Sequence, residues 1–448
     1  MYDGKIKKNS YINCDSGGKS GMEKFKYSKI FLLGFGFFGI SVLWALYNAY
    51  VPIFLKDFAL SYLVIGFIMT IDNIFAIVML PYIGALSDQT RTKIGRRMPY
   101  IITGAPLGAF FFALIPVARN MHSLFFMMAT IIIMNFAMAF FRSPVIALMP
   151  DITPSKYRSQ ANGIINFMGG LGALLVYFVG KPLYDRNFAL PFYLGALILL
   201  LSSILVVVFI KEPEIYRRKE ISMKKEKLIR RSTGELLENL KDVFAAKEKS
   251  LLYMLLSILF WFIAFNAIET FFTSYAKFEI GIKESTGALI LGFFSLAFMI
   301  FSIPAGFIGS KIGRRRTMTL GLIAIIIIVI LTLILGIRVS TLPEGSELEL
   351  ARSKFVKTLF LLFSIGGMGW AMVNVNSLPT IVDMTENKKV GGYTGLYYFF
   401  SMAANIFAPP LAGFLIDIFG YNSLMVLSAV FFFLSIITLR FVKKGDVK

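Results

Sequence analysis

The chain alternates long apolar runs with short polar breaks, and twelve of the runs are long enough to cross a bilayer as helices, near 30–55, 62–84, 99–117, 123–149, 160–180, 190–210, 251–276, 286–309, 317–337, 358–382, 391–416 and 422–440. About 20 apolar residues span the hydrocarbon, and in lipid each backbone amide must bond within its own segment, so every run predicts a helix. The fold class is all-α and integral to the membrane. Pro52, Pro304, Pro409 and Pro410 lie inside runs and predict kinks or broken turns. The outer loop from Arg338 to Lys357 reads as solvated.

Composition agrees with this reading: of 448 residues 57% are hydrophobic and only 16% charged, well short of the charged share of a soluble domain. The net charge of +20 needs its own explanation. Its distribution supplies one. With the polar start of the chain inside, 35 of the 46 Lys and Arg fall in inner segments and 10 in outer ones, with Arg142 inside a span. That is the positive-inside asymmetry. It places both termini in the cytoplasm of a multi-pass protein of the cell membrane and removes the need for a nucleic-acid partner. Attraction to anionic lipid is the expected role of the basic stretch Arg217 to Arg231. The first residues lack the apolar core and cleavage site of a signal peptide. One cysteine, Cys14, allows no internal disulfide, and one histidine, His122, leaves no zinc ligand set. With no phosphate loop either, the chain reads as a non-enzyme without metal or cofactor.

The longest polar stretch divides the helices six and six. The expected layout is a tail at 1–29, a bundle at 30–210, a cytoplasmic linker at 211–250, a second bundle at 251–440 and a tail at 441–448. An internal repeat supports it. Gly84 to Asp88 with Gly95-Arg96-Arg97 closes span two, and Gly306 to Ser310 with Gly313-Arg314-Arg315 closes span eight. Asp151 and Asp383 end spans four and ten, and Asn48-Ala in span one matches Asn266-Ala in span seven. Two pseudo-symmetric bundles with a substrate path between them follow. Asp88, Asp151 and Asp383 with Arg96, Arg97, Arg314 and Arg315 are candidate gating-loop residues, carboxylates that pair with arginines and helix ends in one state and release them in another.

These motifs resemble the major facilitator superfamily, whose signature between its second and third helices is G-x-x-x-D-R-x-G-R-R. The run Ala49 to Leu55, the stretched loop Ser87 to Ile101 and the segment Ala264 to Thr273 are similar to solute carrier family 45 and the plant sucrose carriers. The loop also resembles the glycoside-pentoside-hexuronide:cation symporters. The resemblance implies import of a sugar or glycoside with a proton or sodium ion, through a cavity lined by spans one, four, seven and ten.

Three charges lie well inside spans: Asp72, Arg142 and Glu269. A mid-bilayer charge costs roughly 2.5–3.5 kcal/mol on insertion scales, so such residues are kept for a purpose. Asp72 is ten residues into its span, or about 15 Å at helical rise. Glu269 and Asp72 are the candidate cation-coupling acids. Trp44, Asn48, Arg142, Asn266, Trp370 and Asn374 are the candidate substrate-binding residues, amides for the hydroxyls of a polyol and rings for its C–H faces. Interhelical bonding is the competing role for each Asn, and a membrane-interface anchor is the expected role of Trp261. Two alternatives stay open, a proton-driven exporter of an amphipathic or cationic compound and a non-transporting sensor. A monomer is expected in either case.

Overall fold

The computed structural model describes residues 27–153, 157–212, 243, 248–384 and 390–445. Cys14, most of the 1–29 tail and most of the 211–250 stretch lie outside the described residues. Among the described residues, twelve helices are long and apolar enough to cross a membrane. Apart from one isolated bridge between Thr92 and Gly95, the described residues form no strand. The protein is a multi-pass, all-α membrane protein.

The first half contains spans one to six: Tyr27–Lys56, the broken span Tyr62–Met69 with Ile71–Gln89, then Met98–Asn120, Leu124–Ile152, Arg158–Arg186 and Leu190–Phe209. The second contains spans seven to twelve: Ser250–Phe278, Glu284–Ile312, Arg314–Ser340, Ser346–Val382, Val390–Phe419 and Asn422–Arg440. Serines start two helices in the expected way, Ser61 accepting from the Val64 amide and Ser123 from that of Phe126. Spans eight and nine are separated by Gly313 alone, at φ 96°, a conformation that favours a residue without Cβ.

The repeat is visible in the packing. Span one lies against five and six, three against four and six, and two against four; seven lies against eleven and twelve, nine against ten and twelve, and eight against ten. Shifting the first set by six gives the second. The halves meet along span two with eleven and span five with eight, again a symmetric pair, and along spans one and seven. The outward rings and aliphatic chains, such as Phe125, Ile303 and Phe307, form the lipid-facing belt.

Four local features depart from the sequence reading. Span two breaks at Thr70, whose hydroxyl and amide both bond to the Phe67 carbonyl, a local ring that competes with the helical ladder. The helices continue through Pro52, Pro304, Pro409 and Pro410 without a broken turn. Span ten begins at Ser346, not near 358, because Leu348 and Phe355 pack inward and Arg352 donates to the Ile280 carbonyl at 2.9 Å. Trp261 is fully buried rather than anchored at an interface.

Candidate functional site

The first wall of the seam between the halves is polar. Span one supplies Trp44, Tyr47 and Asn48, with the Trp44 and Tyr47 rings edge to face at 5.5 Å. The break at Thr70 puts Asp72 in the first turn of a new helix, where unpaired amides and the helix dipole favour a carboxylate. Asn73 Nδ2 donates to Asp72 Oδ1 at 2.8 Å. Arg142 of span four lies within electrostatic range of Asp72 but forms no direct salt bridge among the described residues. Asn135, two turns from Arg142 on the same helix, donates its Nδ2 to the Ile131 carbonyl at 3.0 Å and lies beside the Tyr47 side chain. Trp44 Nε1, Tyr47 Oη and Asn135 Oδ1 are all buried and unpaired. Such groups are uncommon in native structures and call for an explanation.

The second half contributes Glu269. Its carboxyl approaches the Asn48 amide and lies within electrostatic range of Asp72 and of Tyr177 from span five. Glu269 thus stands near Asn48 and within electrostatic range of Asp72, which is in turn within range of Arg142, with Tyr47, Asn73 and Tyr177 in the same neighbourhood. Beside Glu269 an apolar cavity runs into the second half, walled by Phe265, Phe294, Phe363 and Trp370. Trp370 lies flat on Phe265, with ring centres 4.2 Å apart and planes 6° apart, so one of its faces is covered. Asn374 stands one turn further along span ten, half-buried. Asn266 is not in this cluster. It donates to Asn405 Oδ1 at 2.5 Å and to the Phe262 carbonyl at 2.7 Å, which ties span seven to span eleven.

The two ends of the molecule differ. At the end bearing the repeated loops, each half closes on itself. Arg96 Nη2 meets Asp151 at 2.5 Å, Arg97 Nε meets it at 3.1 Å, and Arg97 also pairs with Asp88. Glu212, just past span six and 2% exposed, accepts the backbone amides of Arg96, Arg97 and Met98 at 2.9, 2.8 and 3.2 Å. In the second half Arg314 meets Asp383 at 2.5 Å and Arg315 donates to the Val442 carbonyl at 2.7 Å. Ser310, standing where Asp88 stands in the first half, bonds only locally, to the Phe307 carbonyl. Among the described residues the halves barely meet here across span two and span eleven, and Tyr82 is 61% exposed.

At the opposite end the halves are fastened together. Asp417 of span eleven accepts the Tyr62 and Leu63 amides at 2.8 Å each, the Tyr62 hydroxyl bonds that of Tyr421, and Tyr62 packs edge-on against Phe271. Across spans five and eight, Tyr184 bonds Glu284 at 3.0 Å and Ser285 bonds Asp185 at 2.5 Å. A Cβ on Gly66 would meet the Pro409 carbonyl, and one on Gly413 the Tyr62 carbonyl, so these glycines permit the backbones to touch.

The family model described as Major Facilitator Superfamily matches residues 33–343 and 271–448. Among curated proteins, the chain is 25% identical over 181 residues to a cis,cis-muconate transport protein of Acinetobacter baylyi, covering 39% of this chain and 42% of that protein. It is 22% identical over 278 residues to the quinolone resistance protein NorA of Staphylococcus aureus, covering 61% and 66%. It is 22% identical over 320 residues to an isoprimeverose transporter of Lactiplantibacillus pentosus, covering 68% and 62%. These stretches span less than two thirds of each relative's length. Among solved structures, a bacterial homologue of the lysosomal transporter Spinster, inward-facing and occupied, superposes with TM-score 0.67 at 14% identity, covering 94% of this chain and 97% of that one.

Proposed function

The chain belongs to the Major Facilitator Superfamily, and we propose that it carries a sugar or glycoside across the plasma membrane with a proton, by alternating access. The observation that carries this reading is the cluster of unpaired hydrogen-bonding groups at the seam, Trp44 Nε1, Tyr47 Oη and Asn135 Oδ1, beside Asn48, Asp72 and Arg142. A polyol satisfies such a wall, because each hydroxyl both donates and accepts. The family's transporters and the isoprimeverose relative support a small solute as cargo.

With the basic loops on the cytoplasmic side, the conformation described is inward-open, sealed outside by Asp417, Tyr421 and the pairs between spans five and eight. Glu269 and Asp72 are the coupling acids. They lie within electrostatic range of each other, so a proton on either removes a like-charge repulsion and an expensive mid-membrane charge. Solute then bonds to Tyr47, Asn48, Asn135 and Arg142, and the halves rock about it. Asn374 and the open face of Trp370 bound the site on the other side. Asn266 holds span seven to span eleven in this state. Asp88, Asp151 and Asp383 with their arginines keep the cytoplasmic ends of each half intact while the halves are apart.

A second reading, export of an amphipathic cation, draws on the aromatic cavity beside Glu269 and on the quinolone resistance relative. Tryptophan fluorescence separates the two, since two of the three tryptophans flank the site. Quenching by particular sugars, weakened about tenfold by Tyr47→Phe through loss of one buried bond, supports sugar carriage. Quenching by lipophilic cations that sugars do not displace supports export and overturns the first reading.

A further inference from the structure

The seam is lopsided: its first-half wall is polar, whereas the cavity entered beside Glu269 and Tyr177 is walled by aromatic and aliphatic side chains. A free sugar has no use for such a space, since its hydroxyls would lose water and gain no partner. We propose that the cavity is an aglycone subsite, so that the carrier takes amphipathic glycosides, with the sugar on the polar wall and a compact apolar group in the second half. This rests on the sugar-carriage reading and narrows its substrate class.

Three observations support the assignment. Glu269, the residue that approaches Asn48, also lines the cavity, so the cavity borders the polar site. Deep in it, the Thr332 hydroxyl is buried and has no hydrogen-bond partner, although a helical Thr ordinarily bonds back to the preceding turn. It offers one polar contact to a ligand. Third, Gly366 gives the cavity its width. A Cβ there would sit 3.5 Å from the Phe294 ring and 3.7 Å from Ile328 Cδ1, ordinary contacts, so the space is not demanded by packing. The free volume of about 60 Å³ is several times the roughly 10–15 Å³ that a single water needs by the same measure. This space is assigned to a short branched alkyl group.

The test is binding of matched ligands to the full chain in lipid nanodiscs: free hexoses, then their methyl, isopropyl and phenyl glycosides. Burial of each carbon is worth about fourfold in affinity, so isopropyl glycosides should bind more than about tenfold tighter than the free hexose. Gly366→Ala, which puts a methyl into the cavity, and Thr332→Ile, which fills it from span nine, should each bring that ratio toward one. The two fill the space from different helices, so the proposal remains testable if either variant misfolds. Equal affinity for free hexose and glycoside, or a ratio that both variants leave intact, overturns the subsite and leaves sugar carriage standing. Failure of every hexose and glycoside to bind overturns both.

Discussion

Asp417 fastens the two halves at one end through two bonds that must break when that end opens. Replacing it by Asn keeps its shape but leaves a single acceptor for the Tyr62 and Leu63 amides, each now bonded at 2.8 Å. A buried bond to a carboxylate contributes about 1.5–3 kcal/mol, but Asp417 is exposed and water competes, so we take about 1 kcal/mol for the lost bond. Loss of a negative charge at a helix N-terminus adds about 0.5 kcal/mol. Together, about 1.5 kcal/mol shifts the ratio of open to closed forms at that end about tenfold. Spin labels at Met121 and Thr341, both exposed there and on opposite halves, with Cys14→Ser as background, report the distance distribution. Asp417→Asn should raise the longer-distance population. Asp57→Asn, which removes an ion pair with Arg119 inside the first half (2.7 Å), should not. An unchanged distribution in Asp417→Asn, or an equal shift in Asp57→Asn, would refute the assignment of Asp417 as a fastener.

Other outcomes follow from the same geometry. Glu212→Ala strips three backbone amides of their acceptor at a nearly closed site; a loss of about 2–4 kcal/mol should appear as a lower midpoint for heat-induced loss of the monodisperse peak in detergent. Gly413→Leu should hold the Tyr62 end apart, giving long label distances there and no net transport. Asn266→Ala should cost only about 0.6–1.7 kcal/mol of stability and change solute affinity less than Tyr47→Phe does.

The spans, their number and the repeat were legible because bilayer thickness imposes a length and because duplication leaves the same residues at the same places. Asp151 and Asp383 show this best: they end corresponding spans of the two halves, and each stands beside an arginine of the repeated loop. Asp72, Arg142 and Glu269 stood out in the sequence for another reason: charge in lipid is rare. What stayed hidden depends on partners distant in sequence. Nothing along span seven shows that Asn266 is held by Asn405, 139 residues away. Tyr47 looked like one more aromatic in an apolar helix until Asn135 was placed beside it. The break at Thr70 rests on a side-chain bond that most membrane threonines make without breaking anything. Glu212 sat unremarked in a charged stretch, and its capping role depends on a loop 115 residues earlier.

The central claim is that solute and proton cross together through the seam between the halves, with Glu269 as the coupling acid. Its most direct test is the external pH of lightly buffered proteoliposomes on addition of single glycosides, with Glu269→Gln in parallel. The account predicts transient alkalinisation with at least one glycoside, abolished by Glu269→Gln and by a protonophore, while the variant still exchanges labelled solute down its gradient. Solute uptake without any proton movement, or full coupling retained in Glu269→Gln, would contradict it.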